Sequence, residues 1–117
     1  MKRAIVGLAL ALLPPAAFAH AFLEHAEPRV GSKVDHAPGE VTLRFSESLE
    51  PAFSTVEVLD AAGHRVDRND RKVDPKDAAV MRVSVPPLGP GKYRVKWRAL
   101  SADTHVTQGD FTFEVGR

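Results

Sequence analysis

Between Lys92 and Ala99 the chain alternates without a break. Tyr93, Val95, Trp97 and Ala99 interleave with Lys92, Arg94, Lys96 and Arg98. A period of two fits a strand with one dry face and one wet face, and a helix cannot reproduce it. The pattern returns in Val41, Leu43 and Phe45, in Phe111, Phe113 and Val115, in Val56 and Val58, and in Met81, Val83 and Val85. Residues 21–26 supply a further candidate near the start. Pro38-Gly39, Ala62-Gly63, residues 86–91 and Gly109 stand between these runs as turn signals. Residues 67–77 mix charges around Asp74-Pro75 and are expected to form a solvated loop. No stretch beyond residue 19 keeps a helical period long enough for a packed helix. Six or seven short strands in about 100 residues imply an all-β fold, an immunoglobulin-like sandwich of about seven antiparallel strands. A small barrel is the competing architecture, since strand counting does not separate the two.

The first nineteen residues differ in kind. Lys2 and Arg3 give a positive start, residues 4–13 an apolar run, and Pro14-Pro15 a break. Ala17-Phe18-Ala19 then offers the small residues of a cleavage site. That is the layout of a secretory signal peptide. The apolar run is too short to span a bilayer, which takes about 20 residues; an uncleaved anchor is the alternative. Removing nineteen of the 117 residues leaves 98, one small domain covering residues 20–117. Secretion permits disulfides, yet the chain contains no cysteine, so its core must hold by packing or with a bound ligand. Loss of Lys2 and Arg3 lowers the basic residues from 16 to 14 against 15 acidic ones. That balance argues against nucleic acid or an anionic membrane as the main partner. A soluble product outside the cytoplasm is expected.

Cleavage after Ala19 makes His20 the new terminus, and a terminal histidine has unusual chemistry. Its free amine and its Nδ1 can hold one metal ion together in a six-membered chelate ring. The amine, with a pKa near 8, can lose its proton to a strong Lewis acid at neutral pH. The best partners lie in Ser101-Ala102-Asp103-Thr104-His105. Asp103 and His105 are two residues apart, so in extended backbone both side chains leave on one face. Three nitrogens and one carboxylate oxygen, with no thiolate, favour one Cu(II) ion in a tetragonal set. Zn(II) can use the same donors but prefers a tetrahedron.

The sequence resembles the CopC copper-resistance proteins of the bacterial periplasm over essentially its whole length after residue 19. The likeness rests on His20-Ala21-Phe22-Leu23, Pro28 with Gly31-Ser32, Leu43-Arg44-Phe45-Ser46-Glu47, Pro87-Leu88, residues 91–97 and residues 101–105. It implies a Greek-key β-sandwich in the periplasm, Cu(II) bound through His20, and Asp103 and His105 as further ligands. Glu47 matches a glutamate associated with the site in some members. The resemblance also implies copper sequestration or delivery, with transfer to an inner-membrane CopD-like protein. Some members carry a methionine-rich loop for Cu(I). Here residues 61–79 contain no methionine and Met81 alternates as a core residue would, so a soft site lacks donors and one Cu(II) site is expected.

His36 and His64 sit in turn regions and are expected to be exposed. His25, five residues after His20, should face the other side of a regular strand. Trp97 reads first as a core residue. Glu47 has a competing explanation as a strand-end partner of Arg44 or Arg98. No Ser-His-Asp spacing or paired-carboxylate motif suggests hydrolysis, and the chain is not expected to be an enzyme. The alternatives are a small copper-brace oxidase or monooxygenase, and a metal-free immunoglobulin-like binding module. In the second, His20 would be an accident of processing.

Overall fold

The computed structural model of the protein describes residues 20–116, so the expected signal peptide lies outside the described residues. Eight strands form two four-stranded sheets. The first runs β1 (Leu23–Glu27), β3 (Glu40–Phe45), β6 (Asp77–Ser84) and β5 (Lys72–Asp74) in that spatial order. The second runs β2 (Lys33–Val34), β8 (Val106–Val115), β7 (Gly91–Leu100) and β4 (Thr55–Leu59). Two separate sheets make a sandwich and dispose of the barrel.

The alternating residues meet between the layers. Val41, Leu43 and Phe45 of β3 and Val56 and Val58 of β4 are buried in one cluster with Met81, Val83, Tyr93, Val95, Phe111, Phe113 and Val115. The charged residues between them stay wet, as a half-buried strand requires. β7 and β8 pair along their full lengths, from Gly91 opposite Val115 to Leu100 opposite Val106. Within that ladder the rings of Tyr93 and Phe113 stack at 5.6 Å. Across the layers Trp97 meets Phe45 edge to face at 5.1 Å, so it joins the core while staying partly exposed. Met81 is fully buried, as its alternation implied.

Three expectations need correction. The stretch from Asp67 to Asp77 is not simply a loop. Lys72–Asp74 pairs with β6, Asp74 faces Asp77 across a tight turn, and the Lys76 amide donates to Asp74 Oδ1 at 2.7 Å. One partly buried valine, Val73, in a three-residue strand is too short a signal for periodicity to register. Gly109 is not a turn but lies inside β8 opposite Trp97. A Cβ there would come within 2.8 Å of the indole, so the glycine makes room for the large ring. Nor are all strands antiparallel. After Pro28 the chain crosses to the second sheet, where Gly31 N donates to Thr112 O at 2.7 Å. It then runs beside β8 as the short parallel strand β2.

Candidate metal centre

One end of the sandwich gathers the first residues of the described chain, the bend after β3 and the β7–β8 connection. Ala21 is wholly buried, which seats the tip between the sheets. Ser46, just past β3, and Thr107, near the start of β8, both bond to the backbone of residues 20–22. His20 is thereby half-buried at the rim and not trailing in solvent.

Residues 101–105 reach the same end by a turn and not by extended backbone. The Thr104 amide donates to Ser101 O at 2.8 Å, and Thr104 takes a φ of +75°. The Ser101 amide donates to His105 O at 2.9 Å, and the Ala102 amide to Ser48 O at 2.9 Å, tying the turn to the bend after β3. The Ser101 hydroxyl is buried and donates to Asp103 Oδ1 at 2.5 Å. Asp103 Oδ1 also lies 3.3 Å from His105 Nδ1. These bonds, that from Ser101 first and that from His105 second, hold the Asp103 carboxyl below the usual aspartate range. Asp103 and His105 do converge, then, but the turn brings them together, not strand alternation.

The His105 ring faces the His20 ring with centroids 5.0 Å apart and planes tilted by 30°. Phe22 flanks His20 at 5.9 Å and is itself exposed. Asp103 and His105 have side chains about half exposed. Two imidazoles and a carboxylate therefore share one open rim. They are not closed into a ligand shell: among the described residues no three His, Cys, Asp or Glu side chains approach closely enough to hold an ion. Asp103 is turned toward Ser101 and His105. The donor set, imidazole nitrogen with carboxylate oxygen and no sulfur, suits a divalent metal of the Cu(II) or Zn(II) kind.

Glu47 lies exposed in the bend between Ser46, which bonds to His20, and Ser48, which bonds to Ala102. Among the described residues it makes no ion pair with Arg44 or Arg98, its expected alternative partners; Arg44 pairs instead with Asp77 at 2.7 Å. His25 follows an irregularity in the β1–β3 register, and its Nε2 lies 2.9 Å from Glu27 Oε2. His36 is exposed, and His64 is exposed beside Asp60. An open groove of about 430 Å³ lies elsewhere, on the outer face of the second sheet, lined by Thr55, Glu57, Arg65, Lys96, Arg98 and Gln108 among others. None of the candidate ligands lines it. Sequence reasoning missed Ser46, Ser101 and Thr107, whose hydroxyls look like ordinary strand-end polar groups until their partners are known.

Comparison with known proteins agrees with this architecture. The family described as the CopC domain matches residues 23–116. Protein YobA of Escherichia coli K12 is 33% identical over 98% of this chain and 94% of its own length. Copper resistance protein C of Pseudomonas syringae pv. tomato is 35% identical over 89% of this chain and 86% of its own. Copper transport protein CutJ of Bacillus subtilis is 32% identical over 97% of this chain, which spans only 21% of that longer protein. Among solved structures, CopC from Methylosinus trichosporium OB3b superposes with a TM-score of 0.74 at 33% identity, covering 83% of this chain and 94% of its own. PcoC, a methionine-rich copper resistance protein from Escherichia coli, gives 0.71 at 36% identity, covering 83% and 99%. A sandwich with these relatives over nearly its whole described length belongs to the CopC family.

Proposed function

We propose that this protein is exported to the periplasm, cut after Ala19, and there binds one Cu(II) ion for sequestration or delivery. The ion is held by the amine and Nδ1 of His20, an imidazole nitrogen of His105 and a carboxylate oxygen of Asp103. Glu47 is a further oxygen donor at the rim. The observation that carries this reading is the pairing of the His20 and His105 rings at 5.0 Å, with Asp103 Oδ1 3.3 Å from His105 Nδ1. Nitrogen-rich sites with one oxygen rank Cu(II) above the other divalent metals of the first row. The names of the relatives, copper resistance protein C and copper transport protein CutJ, support the same metal.

The protein carries copper and does not catalyse. It holds one oxidation state, because Met81 is buried in the core, residues 61–79 contain no methionine, and the chain has no cysteine to favour Cu(I). In this it differs from its methionine-rich structural relative. Its partner in copper traffic is an inner-membrane protein of the CopD kind. In CutJ the matched stretch is part of a longer chain named for copper transport, which supports a partner of that class. Copper binding to the folded state alone would also stabilise the domain by mass action.

The test compares protein beginning at His20 with protein carrying one glycine before it. Competition titration should give the first an affinity more than about a hundredfold higher, beyond the cost of losing a supporting partner alone. Its EPR spectrum should show a nitrogen-rich tetragonal site. Equal affinities would remove the terminal amine from the ligand set and the proposal with it.

A further inference from the structure

The tip that presents His20 has no strand ladder of its own, since β1 starts only at Leu23. Its backbone polar groups are instead taken up one by one. Ser46 Oγ accepts from Phe22 N at 2.8 Å and donates to His20 O at 3.2 Å, so a single hydroxyl brackets the first two peptide units. The Ser46 amide donates to Phe22 O at 2.8 Å. From the opposite sheet, Thr107 Oγ1 donates to Ala21 O at 2.7 Å. The buried Ala21 methyl completes the anchorage. The tip is thus fixed to the first sheet by Ser46 and to the second by Thr107.

The two ties are not equivalent. His105 stands two residues before Thr107 in the same chain segment. The distance between the His20 and His105 rings is therefore set through Thr107, while Ser46 sets the direction in which residue 20 leaves the domain. A metal site assembled from a chain end and a turn has no rigid element of its own, and chelation needs both nitrogens of His20 aimed at the ring of His105. Removing a group that orients a ligand typically costs about ten- to a hundredfold in metal affinity.

We infer that Thr107 and Ser46 are positioning residues, a two-hydroxyl clamp that registers the processed N-terminus against His105 and so sets copper affinity and geometry. The inference rests on the copper reading above and adds to it two residues that touch no metal. The inference requires a side chain that presents a hydroxyl both in the bend after β3 and at the half-buried second position of β8.

The experiment uses protein beginning at His20 and replaces Thr107 with valine, which keeps the shape and deletes the donor. Thr107→Val should weaken Cu(II) binding by about ten- to a hundredfold. It should also shift the EPR parameters at saturating copper and speed amide exchange at Phe22 in the metal-free protein. Thr107→Ser should restore all three. Ser46→Ala, made separately, should move the same readouts, with Ser46→Thr as its rescue. A lowered melting temperature with unchanged affinity and EPR would show a merely structural bond and overturn the inference. Unchanged values throughout would do the same. If the wild type itself binds no better than its glycine-extended form, the copper reading falls and takes the clamp with it. If that difference stands and Thr107→Val matches wild type, only the clamp is lost.

Discussion

Asp67 and Asp103 are the same residue type put to opposite ends. The Asp67 side chain is completely enclosed. Its Oδ1 accepts from Val58 N at 2.7 Å and Arg65 Nε at 2.9 Å, and its Oδ2 from Asn69 N at 3.0 Å and Arg65 Nη2 at 2.9 Å. Four donors from the protein saturate both oxygens. Asp103 is more than half exposed, and its bonds from Ser101 and His105 both fall on Oδ1. A carboxylate filled by protein donors can only hold the fold. One that keeps lone pairs toward solvent, beside two imidazoles, can still bind something else. The difference separates the structural polar cluster from the candidate metal centre without reference to any relative.

Substitution of the two aspartates should therefore have opposite effects. Asp67→Ala should give the largest change in stability. It leaves two backbone amides without their acceptor and takes from Arg65 its main ion-pair partner, at a cost on the order of 3 kcal/mol. In a domain of this size that lowers the melting temperature by more than about 10 °C. Copper affinity should not move. Asp103→Ala should do the reverse: about a tenfold or greater loss of Cu(II) affinity, with a melting temperature close to wild type. Loss of affinity in Asp67→Ala while still folded, or unfolding of Asp103→Ala, would erase the distinction.

A smaller effect lies in the pH dependence of stability. Burial pushes the Asp67 carboxyl up, but the Arg65 guanidinium and the Val58 and Asn69 amides outweigh that and hold it below the usual range. A lowered value in the folded state contributes stability above the ordinary aspartate pKa, near 3.9, and that contribution is lost as pH falls through the folded value. Asp74 and Asp77, bonded to Arg82 and Arg44, act in the same direction. Acid titration of the metal-free protein should therefore show stability falling below about pH 4. Asp67→Asn should flatten that dependence.

Much of this was legible in the chain because burial imposes a period. The alternation in residues 92–99 marks β7, and the valines and phenylalanines of β3, β4 and β8 give the core in one reading. What escaped has physical reasons. β5 is too short for a period, and Gly109 reads as a turn unless its cross-strand neighbour Trp97 is known. The parallel pairing of β2 depends on where the chain lands after crossing sheets. At the candidate centre the chemistry of His20, Asp103 and His105 shows in residue type, but their meeting depends on a turn with Thr104 at positive φ. Ser46 and Thr107 were invisible because a hydroxyl's partner is a matter of tertiary structure.

If a terminal amine and two histidine rings supply the nitrogens of one Cu(II) site, all of them come from histidine. Electron–nuclear double resonance on copper-loaded protein beginning at His20, grown with nitrogen-15 in histidine alone, tests this. Every strongly coupled nitrogen should then carry the label, as the His20 amine, the His20 ring and the His105 ring all belong to histidine. A strongly coupled nitrogen without the label, or couplings from rings with none from an amine, would rule out a site built on the His20 amine.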